Sequence, residues 1–284
     1  MSYPDVSYVE CPRDAIQGIQ PFIPTEKKVV YINKLIASNL FEYIDFGSFV
    51  SPKAVPQMQD TLAVLDGLEK INSTKLLTII ANQKGAEIGS KCEKVDYLGY
   101  PFSISNTFQV RNTNSTIEES FERIKSIQDI TLTSNKELIV YISMAFGNPY
   151  NDPYLQEIVM EWVDKLSKLG IKRFSIADTT SEAQVSDVTS LFQKLFSNFS
   201  HLIFSAHLHS RKDSSLLKIN AAYEAGCRRF EGAFMGFGGC PFAKDELVGN
   251  IPMELLLERF EKTNSAEISK LIMDFQNMLN INEL

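Results

Sequence analysis

The amino-acid sequence predicts a (β/α)8 barrel, the TIM-barrel fold of the α/β class, in which eight parallel strands, each followed by a helix, close into a cylinder. Short apolar runs rich in β-branched and aromatic residues alternate with helix-like segments along the whole chain. Eight such units follow one another, and about 250 residues is the usual length of this fold. No Gly-x-Gly-x-x-Gly segment follows the first strand, which argues against a dinucleotide-binding sheet.

The strands are predicted from continuous apolar runs, because a strand buried on both faces of a parallel sheet carries apolar residues on both. Lys75–Asn82 is an example, with Leu-Leu-Thr-Ile-Ile-Ala between its ends. The predicted strands are Val6–Glu10, Tyr43–Ser48, Lys75–Asn82, Lys94–Ser103, Glu137–Phe146, Arg173–Thr180, Leu202–Ser210 and Arg228–Met235.

The helices are predicted from apolar periodicity and from capping residues. Thr25 is expected to cap the first helix, and Asp152 is expected to cap another that has Pro153 at its first position. Gly170 and Gly226 follow predicted helix ends. The predicted helices cover 25–38, a segment after Pro56, 84–92, 117–133, 152–169, 182–198, 213–225, 252–262 and 266–279. We expect one domain over 1–284, with the barrel at about 6–250 and extra C-terminal helices at about 252–284.

The composition excludes several classes of function. The net charge of −7 disfavours nucleic acid as a general partner. No apolar run is long enough to span a membrane, and no targeting segment is evident, so we expect a cytoplasmic protein. The four cysteines lack Cys-x-x-Cys spacing, which argues against a disulfide framework and against structural zinc.

Two of the three histidines, His207 and His209, end the seventh predicted strand. Residues two apart on a strand point the same way, so both imidazoles are expected to converge at its carboxyl end. Neutral imidazole is a common ligand of divalent metals. The alternative is a pair of polar residues where a strand runs into solvent.

Other polar residues follow strands at the same predicted edge, where barrel enzymes carry their chemistry. Arg13 and Asp14 follow the first strand, Asp45 lies in the second, Asp178 ends the sixth, and Asn250 follows the eighth. A carboxylate, two imidazoles and an amide oxygen suit Mg²⁺ or Mn²⁺ with open positions for substrate. Taken singly, Arg13 and Asp14 also fit a surface ion pair, and Asp178 and Asn250 also fit helix caps.

A glycine-rich segment at 236–243 follows the eighth strand and contains Cys240. Several glycines beside a thiol indicate a loop that moves over a site. The alternative is a turn that carries a small buried hydrophobic residue, which is what most free cysteines are.

Several segments together resemble 3-hydroxy-3-methylglutaryl-CoA lyase, a member of the DRE-TIM metallolyases. They occur in the family's order and spacing from about Val6 to Asn250, and Ser-Phe-Val-Ser-Pro-Lys and Gly-Gly-Cys-Pro are the most specific. The segments are Cys-Pro-Arg-Asp at 11–14, Ser-Phe-Val-Ser-Pro-Lys-Ala-Val-Pro-Gln-Met at 48–58, Ser-Thr-Ile-Glu-Glu-Ser at 115–120, His-Leu-His at 207–209, Gly-Phe-Gly-Gly-Cys-Pro-Phe-Ala at 236–243 and Gly-Asn at 249–250.

The resemblance implies a divalent-metal-dependent cleavage of 3-hydroxy-3-methylglutaryl-CoA to acetyl-CoA and acetoacetate, with Mg²⁺ or Mn²⁺ as the expected ion. The expected partners are the acyl-CoA substrate and, by analogy with other barrels, further copies of this chain as a homodimer or higher oligomer. The implied metal ligands are Asp14, His207, His209 and Asn250. The implied catalytic residues are Arg13, Cys240, His207, Asp45 and Asp178, and the implied substrate-binding residues are Gln17, Ser48, Lys53, Thr179 and Arg211. Lys53, Lys84 and Arg111 are candidates for contacts to the CoA phosphates.

The chain departs from the family pattern at Ala15, Asp45, Thr180 and Arg211, where the family usually has Gly, Glu, Ile and Thr. These departures leave two alternatives open. One is a related metallolyase or condensing enzyme acting on another 3-hydroxyacyl-CoA or a 2-oxo acid. The other is a non-catalytic metal-binding barrel, against which the retained arginine, cysteine and four ligands argue.

Overall fold

A computed structural model describes residues 6–211, 213–239 and 248–280 of the chain. Within these residues, eight strands form a closed barrel in chain order, and all neighbouring pairs are parallel. The strands are β1 Ser7–Glu10, β2 Tyr43–Ser48, β3 Lys75–Ile79, β4 Tyr97–Ser103, β5 Glu137–Ser143, β6 Arg173–Asp178, β7 Ile203–Leu208 and β8 Arg229–Gly232. The predicted (β/α)8 architecture is confirmed.

Helices connect the strands, and two of them lie beyond the barrel at the C-terminal side of the chain. The helices are α1 Pro12–Ile16, α2 Thr25–Ser38, α3 Thr61–Asp66, α4 Gln83–Ser90, α5 Asn106–Thr113, α6 Ile117–Thr133, α7 Gln156–Ser167, α8 Val185–Asn198, α9 Ser215–Glu224, α10 Met253–Arg259 and α11 Ser265–Leu279. Two 3-10 turns lie at Pro56–Met58 and Phe234–Gly236. Helices α1 and α5 were not predicted, and none of these helices is long and apolar enough to cross a membrane.

Two predicted helix caps are wrong, because both side chains have other partners. Thr25 is the first residue of α2 rather than its cap, and its hydroxyl donates to Asp60 Oδ2 at 2.7 Å. The carboxylate of Asp152 accepts hydrogen bonds from Ser105 Oγ and from the backbone N–H of Thr107, at the start of α5. Helix α7 begins at Gln156, three residues after Pro153, its expected first position.

The barrel interior is packed rather than hollow. Side chains from five strands and from the segment after β1 form an apolar cluster inside it: Val9, Cys11, Tyr43, Leu77, Ile79, Tyr97, Ile139 and Tyr141. Outward-facing residues of the same strands pack against the surrounding helices in a second, larger cluster. Because parallel strands all end at one rim, the polar side chains that follow them are brought together there.

Candidate active site

His207 and His209 converge at the carboxyl end of β7, as their spacing predicts. Their Nε2 atoms are 3.3 Å apart, and both side chains are buried. His209 lies one residue beyond the strand, where its backbone N–H donates to the carbonyl oxygen of Asp178 at 3.2 Å. This bond continues the strand pairing, so the two imidazoles remain on the same side.

The outer nitrogens of both imidazoles have hydrogen-bond acceptors. His207 Nδ1 donates to Glu231 Oε2 at 2.9 Å, and His209 Nδ1 donates to the carbonyl oxygen of Val248 at 2.9 Å. Burial alone would lower the pKa of both rings. At His207 the carboxylate of Glu231 outweighs burial, so the pKa of that ring is raised. At His209 burial and the neighbouring His207 act together, so the pKa of that ring is lowered. The space between the two Nε2 atoms thus favours a positive charge, either a proton on His207 or a metal cation.

Asp14 supplies a carboxylate to the same space. One oxygen of Asp14 and one nitrogen of each histidine lie within 4.8 Å of one another. Its Oδ1 accepts from Arg13 Nη1 at 3.1 Å and from Gln17 Nε2 at 3.0 Å. Burial alone would raise the pKa of Asp14, but Arg13 and the two histidines outweigh it, so the pKa is lowered and the group is ionised at neutral pH.

The guanidinium of Arg13 is fixed by three side chains. Its Nε and Nη2 donate to Asp45 Oδ2 at 3.0 and 2.5 Å, and its Nη1 donates to Asp14 and, at 2.9 Å, to Gln17 Oε1. Of the five N–H groups of an arginine, these contacts leave one N–H of Nη2 for a ligand. Burial raises the pKa of Asp45 to about 6 despite the lowering effect of Arg13. Asp45 thus acts on the site through the orientation of Arg13.

Asn250 closes the site on the side of β8. Its Nδ2 donates to Asp14 Oδ2 at 2.6 Å and to the carbonyl oxygen of Phe237 at 2.9 Å. Gly238 packs against this amide with a φ of +110°, and a Cβ there would lie 2.4 Å from Asn250 Nδ2, so a side chain is excluded. Metal ligation by Asn250 Oδ1 stays a prediction, and Cys240 lies outside the described residues.

A pocket opens above Asp14 and the two histidines and mixes polar and apolar walls. Three predicted substrate-binding residues, Gln17, Ser48 and Thr179, line it together with Arg13. The remaining lining residues are Val50, Ala54, Val55, Ile79, Ala81, Pro101, Phe108, Asn112, Tyr141, Ser143 and Ala177. Ser48 reaches this face after an irregularity in the pairing of β2 with β3 between Asp45 and Gly47. The lining does not include Lys53, Lys84, Arg111 or Arg211.

Asp178 has a set of structural contacts and does not line the pocket. Its Oδ2 pairs with Lys218 Nζ at 2.7 Å, and its Oδ1 accepts the backbone N–H of Glu182 at 2.8 Å. Lys218 also donates to Ser181 Oγ and to the carbonyl oxygen of His209. The buried pair therefore joins α9 to the ends of β6 and β7. Asp178 does not cap α8, whose N-cap is Gln184, so the helix-cap interpretation is wrong, and its catalytic role stays a prediction.

Replacing Lys218 by methionine is expected to lower the free energy of unfolding by about 3–5 kcal/mol, because it leaves the Asp178 carboxylate buried without a cation. Urea denaturation measures the change. The double variant Asp178→Asn/Lys218→Met removes both charges and is expected to recover more than half of the loss. Equal stabilities of the single variant and the parent chain would contradict a structural pair.

Two residues near the site were missed from the sequence, Tyr141 and Glu231. The ring of Tyr141 lies edge-on to His207 with 5.7 Å between centroids, and its buried hydroxyl has no hydrogen-bond partner among the described residues. Glu231 is the register partner of His207 across β7 and β8. A tyrosine within an apolar strand is most simply interpreted as core. The charge of Glu231 within the predicted strand was a usable signal for a paired side chain, because a buried carboxylate is rare unless it has a partner, although the signal does not say which partner.

Comparisons with known proteins agree with this geometry. The HMGL-like family model matches residues 9–284. The hydroxymethylglutaryl-CoA lyase YngG of Bacillus subtilis is 28% identical over 92% of this chain and 87% of its own. The mitochondrial hydroxymethylglutaryl-CoA lyase of Mus musculus is 29% identical over 87% of this chain and 75% of its own.

The fold comparison gives relatives of the same kind. An HMG-CoA lyase from Acinetobacter baumannii, solved in complex with coenzyme A and 3-methylmalate, superposes with a TM-score of 0.89 at 29% identity. The match covers 97% of this chain and 91% of that one. Since the family model spans nearly all of the sequence, and the barrel and its polar rim match what the motifs predict, the chain belongs to the HMGL-like family.

Proposed function

We propose that the chain is a divalent-metal-dependent carbon–carbon lyase that cleaves 3-hydroxy-3-methylglutaryl-CoA to acetyl-CoA and acetoacetate. One observation carries the proposal. The carboxylate of Asp14 and the Nε2 atoms of His207 and His209 converge beside the guanidinium of Arg13, at the base of a pocket. The relatives named hydroxymethylglutaryl-CoA lyase give the reaction, and the relative solved with coenzyme A supports an acyl-CoA ligand.

The donor set fits a hard or borderline divalent cation. Both imidazoles donate outward from Nδ1, so the lone pairs of their Nε2 atoms face inward, toward the carboxylate of Asp14. No thiol belongs to this group of three, which argues against structural zinc. A bound Mg²⁺ or Mn²⁺ would supply Lewis acidity for a substrate hydroxyl and a partner for a substrate carboxylate. Asp14, His207 and His209 would hold it, and Asn250 is the predicted fourth ligand.

The reaction needs three events at the substrate. The tertiary hydroxyl on C3 loses a proton, the bond between C2 and C3 breaks, and the electron pair passes to the thioester as an enolate. The enolate carbon then takes a proton and becomes the methyl group of acetyl-CoA. Cys240 is the predicted donor of that proton.

Arg13 is the proposed stabiliser of the enolate. Because Asp45, Asp14 and Gln17 already hold its other N–H groups, Nη2 presents a single, oriented donor to the pocket. A permanently charged donor that needs no reorganisation stabilises developing negative charge strongly. The apolar walls at Val50, Val55 and Ile79 limit water around the carbanion.

Release of acetoacetate from 3-hydroxy-3-methylglutaryl-CoA, assayed with Mg²⁺ or Mn²⁺ and a thiol reductant, tests the proposal. We expect turnover that is abolished by EDTA and restored by excess cation, because the hydroxyl is otherwise too weak an acid. Protein that binds Mn²⁺ but does not turn this substrate over would exclude it. Assays with other 3-hydroxyacyl-CoA esters would then follow, with attention to Asp45, Thr180 and Arg211.

A further inference from the structure

Glu231 is a buried carboxylate that the proposed chemistry does not use. It lies in β8 with 1% of its surface exposed, and its register partner on β7 is His207. Its Oε2 receives the Nδ1 proton of His207 at 2.9 Å, and its Oε1 receives the hydroxyl of Ser205. The hydroxyl of Tyr43 lies 3.4 Å from the same Oε1. Donors on β2 and β7 therefore hold both oxygens in place.

The position of Glu231 behind the imidazole matters for the tautomer of His207. A neutral imidazole carries one proton, and the nitrogen without it is the one that donates a lone pair to a metal. A carboxylate only accepts hydrogen bonds, so Glu231 keeps the proton on Nδ1 and leaves the Nε2 lone pair directed toward His209 and Asp14. His209 differs, because its Nδ1 donates to a neutral carbonyl, that of Val248.

We propose that Glu231 is a positioning residue that fixes His207 in the Nδ1–H tautomer and thereby sets the affinity of the site for its divalent cation. The proposal rests on the metal centre of the proposed function. Carboxylates that accept the second N–H of a metal-bound histidine raise its basicity and fix its ring. Here the carboxylate is itself held in place by hydrogen bonds from Ser205 and Tyr43.

Glu231→Gln is the informative substitution because an amide has only one acceptor oxygen. If its oxygen faces Ser205, the amide N–H₂ faces His207 Nδ1 and favours the opposite tautomer, with the proton on Nε2. If its oxygen faces His207, the tautomer is kept, but the negative charge that raises the basicity of Nε2 is lost. Both orientations weaken the site, while the side-chain volume is nearly unchanged.

The measurement is the Kd for Mn²⁺ of the apoprotein, obtained by electron paramagnetic resonance of free Mn²⁺ without any acyl-CoA. We expect Glu231→Gln to weaken binding by about 10- to 100-fold. Glu10→Gln is the matched control: Glu10 is an equally buried carboxylate on the adjacent strand β1, where it accepts the backbone N–H of Phe234. The amide is nearly isosteric and keeps an acceptor oxygen for the N–H of Phe234, so the Kd of Glu10→Gln is expected to stay within about twofold of the parent.

A folded Glu231→Gln protein with the parent Kd would overturn the proposal, and so would an equal loss in Glu10→Gln. Circular dichroism and the thermal midpoint of the apoproteins establish folding. Histidine ¹⁵N chemical shifts give a second readout: we expect a protonated Nδ1 on His207 of the metal-free parent at a pH where the ring is neutral, and the opposite tautomer would overturn the proposal. If the parent chain itself binds no Mn²⁺, the proposed metal centre is wrong, whichever substrate the chain takes, and the role proposed for Glu231 is wrong with it.

Discussion

Replacing Arg13 by methionine is expected to lower kcat by about 10²–10³-fold, the usual effect of removing one donor to a developing oxyanion. The loss is expected in kcat more than in KM, because the N–H of Nη2 contributes most when the thioester oxygen carries charge. Arg13 also holds Asp45, so the variant leaves a buried carboxylate without its cation. The measurement therefore pairs steady-state kinetics with a urea midpoint.

Arg13→Lys separates catalysis from stability. Lysine keeps the charge beside Asp45 but lacks the planar fork, so it cannot pair with Asp45, contact Asp14 and reach the substrate together. We expect stability near that of the parent and kcat still reduced at least about tenfold. Arg173→Met, at the amino-terminal end of β6 and far from the pocket, is the control and should leave kcat unchanged. Parent-like kcat in folded Arg13→Lys would contradict the assigned role.

The barrel was predictable because its strands carry a local signal. A strand buried on both faces needs an apolar run, and eight such runs with short connections leave few arrangements. Helix starts were less predictable, because capping is a competition among side chains. Asp152 has the local form of an N-cap before Pro153, yet its carboxylate binds the N–H of Thr107, 45 residues earlier in the chain. That contact joins segments that are far apart in the sequence, so no local pattern reveals it.

The residues of the site likewise include some that the sequence predicts and some that it does not. Asp14, His207 and His209 lie at or just beyond the carboxyl ends of strands that share one rim, so their meeting is a consequence of topology. Glu231 was not found, because its pairing with His207 depends on the register between β7 and β8, which the sequence does not specify. Lys53 and Arg211 are charged and near the rim in sequence, yet they do not line the pocket. Proximity in sequence does not determine side-chain direction in a loop.

Replacing His209 by alanine is expected to remove one of the three converging donors and to abolish turnover at ordinary Mn²⁺ concentrations. A metal-bound Lewis acid contributes several kcal/mol to such a reaction, which corresponds to at least about a thousandfold in rate. The fold should survive, because the Nδ1 contact to Val248 is a single hydrogen bond at the rim. The measurement is the Kd for Mn²⁺ alongside kcat at increasing Mn²⁺.

The chain offers a matched control in its third histidine. His201 is exposed and precedes β7, at the opposite end of the barrel from His209. His201→Ala is expected to keep the parent Kd and kcat, which separates the loss of a ligand from the loss of any imidazole. If excess Mn²⁺ restores part of the turnover of His209→Ala, the residue acts through metal occupancy. Parent-like Mn²⁺ affinity together with lost turnover would instead assign His209 to the proton transfers. His209 would then not be a metal ligand.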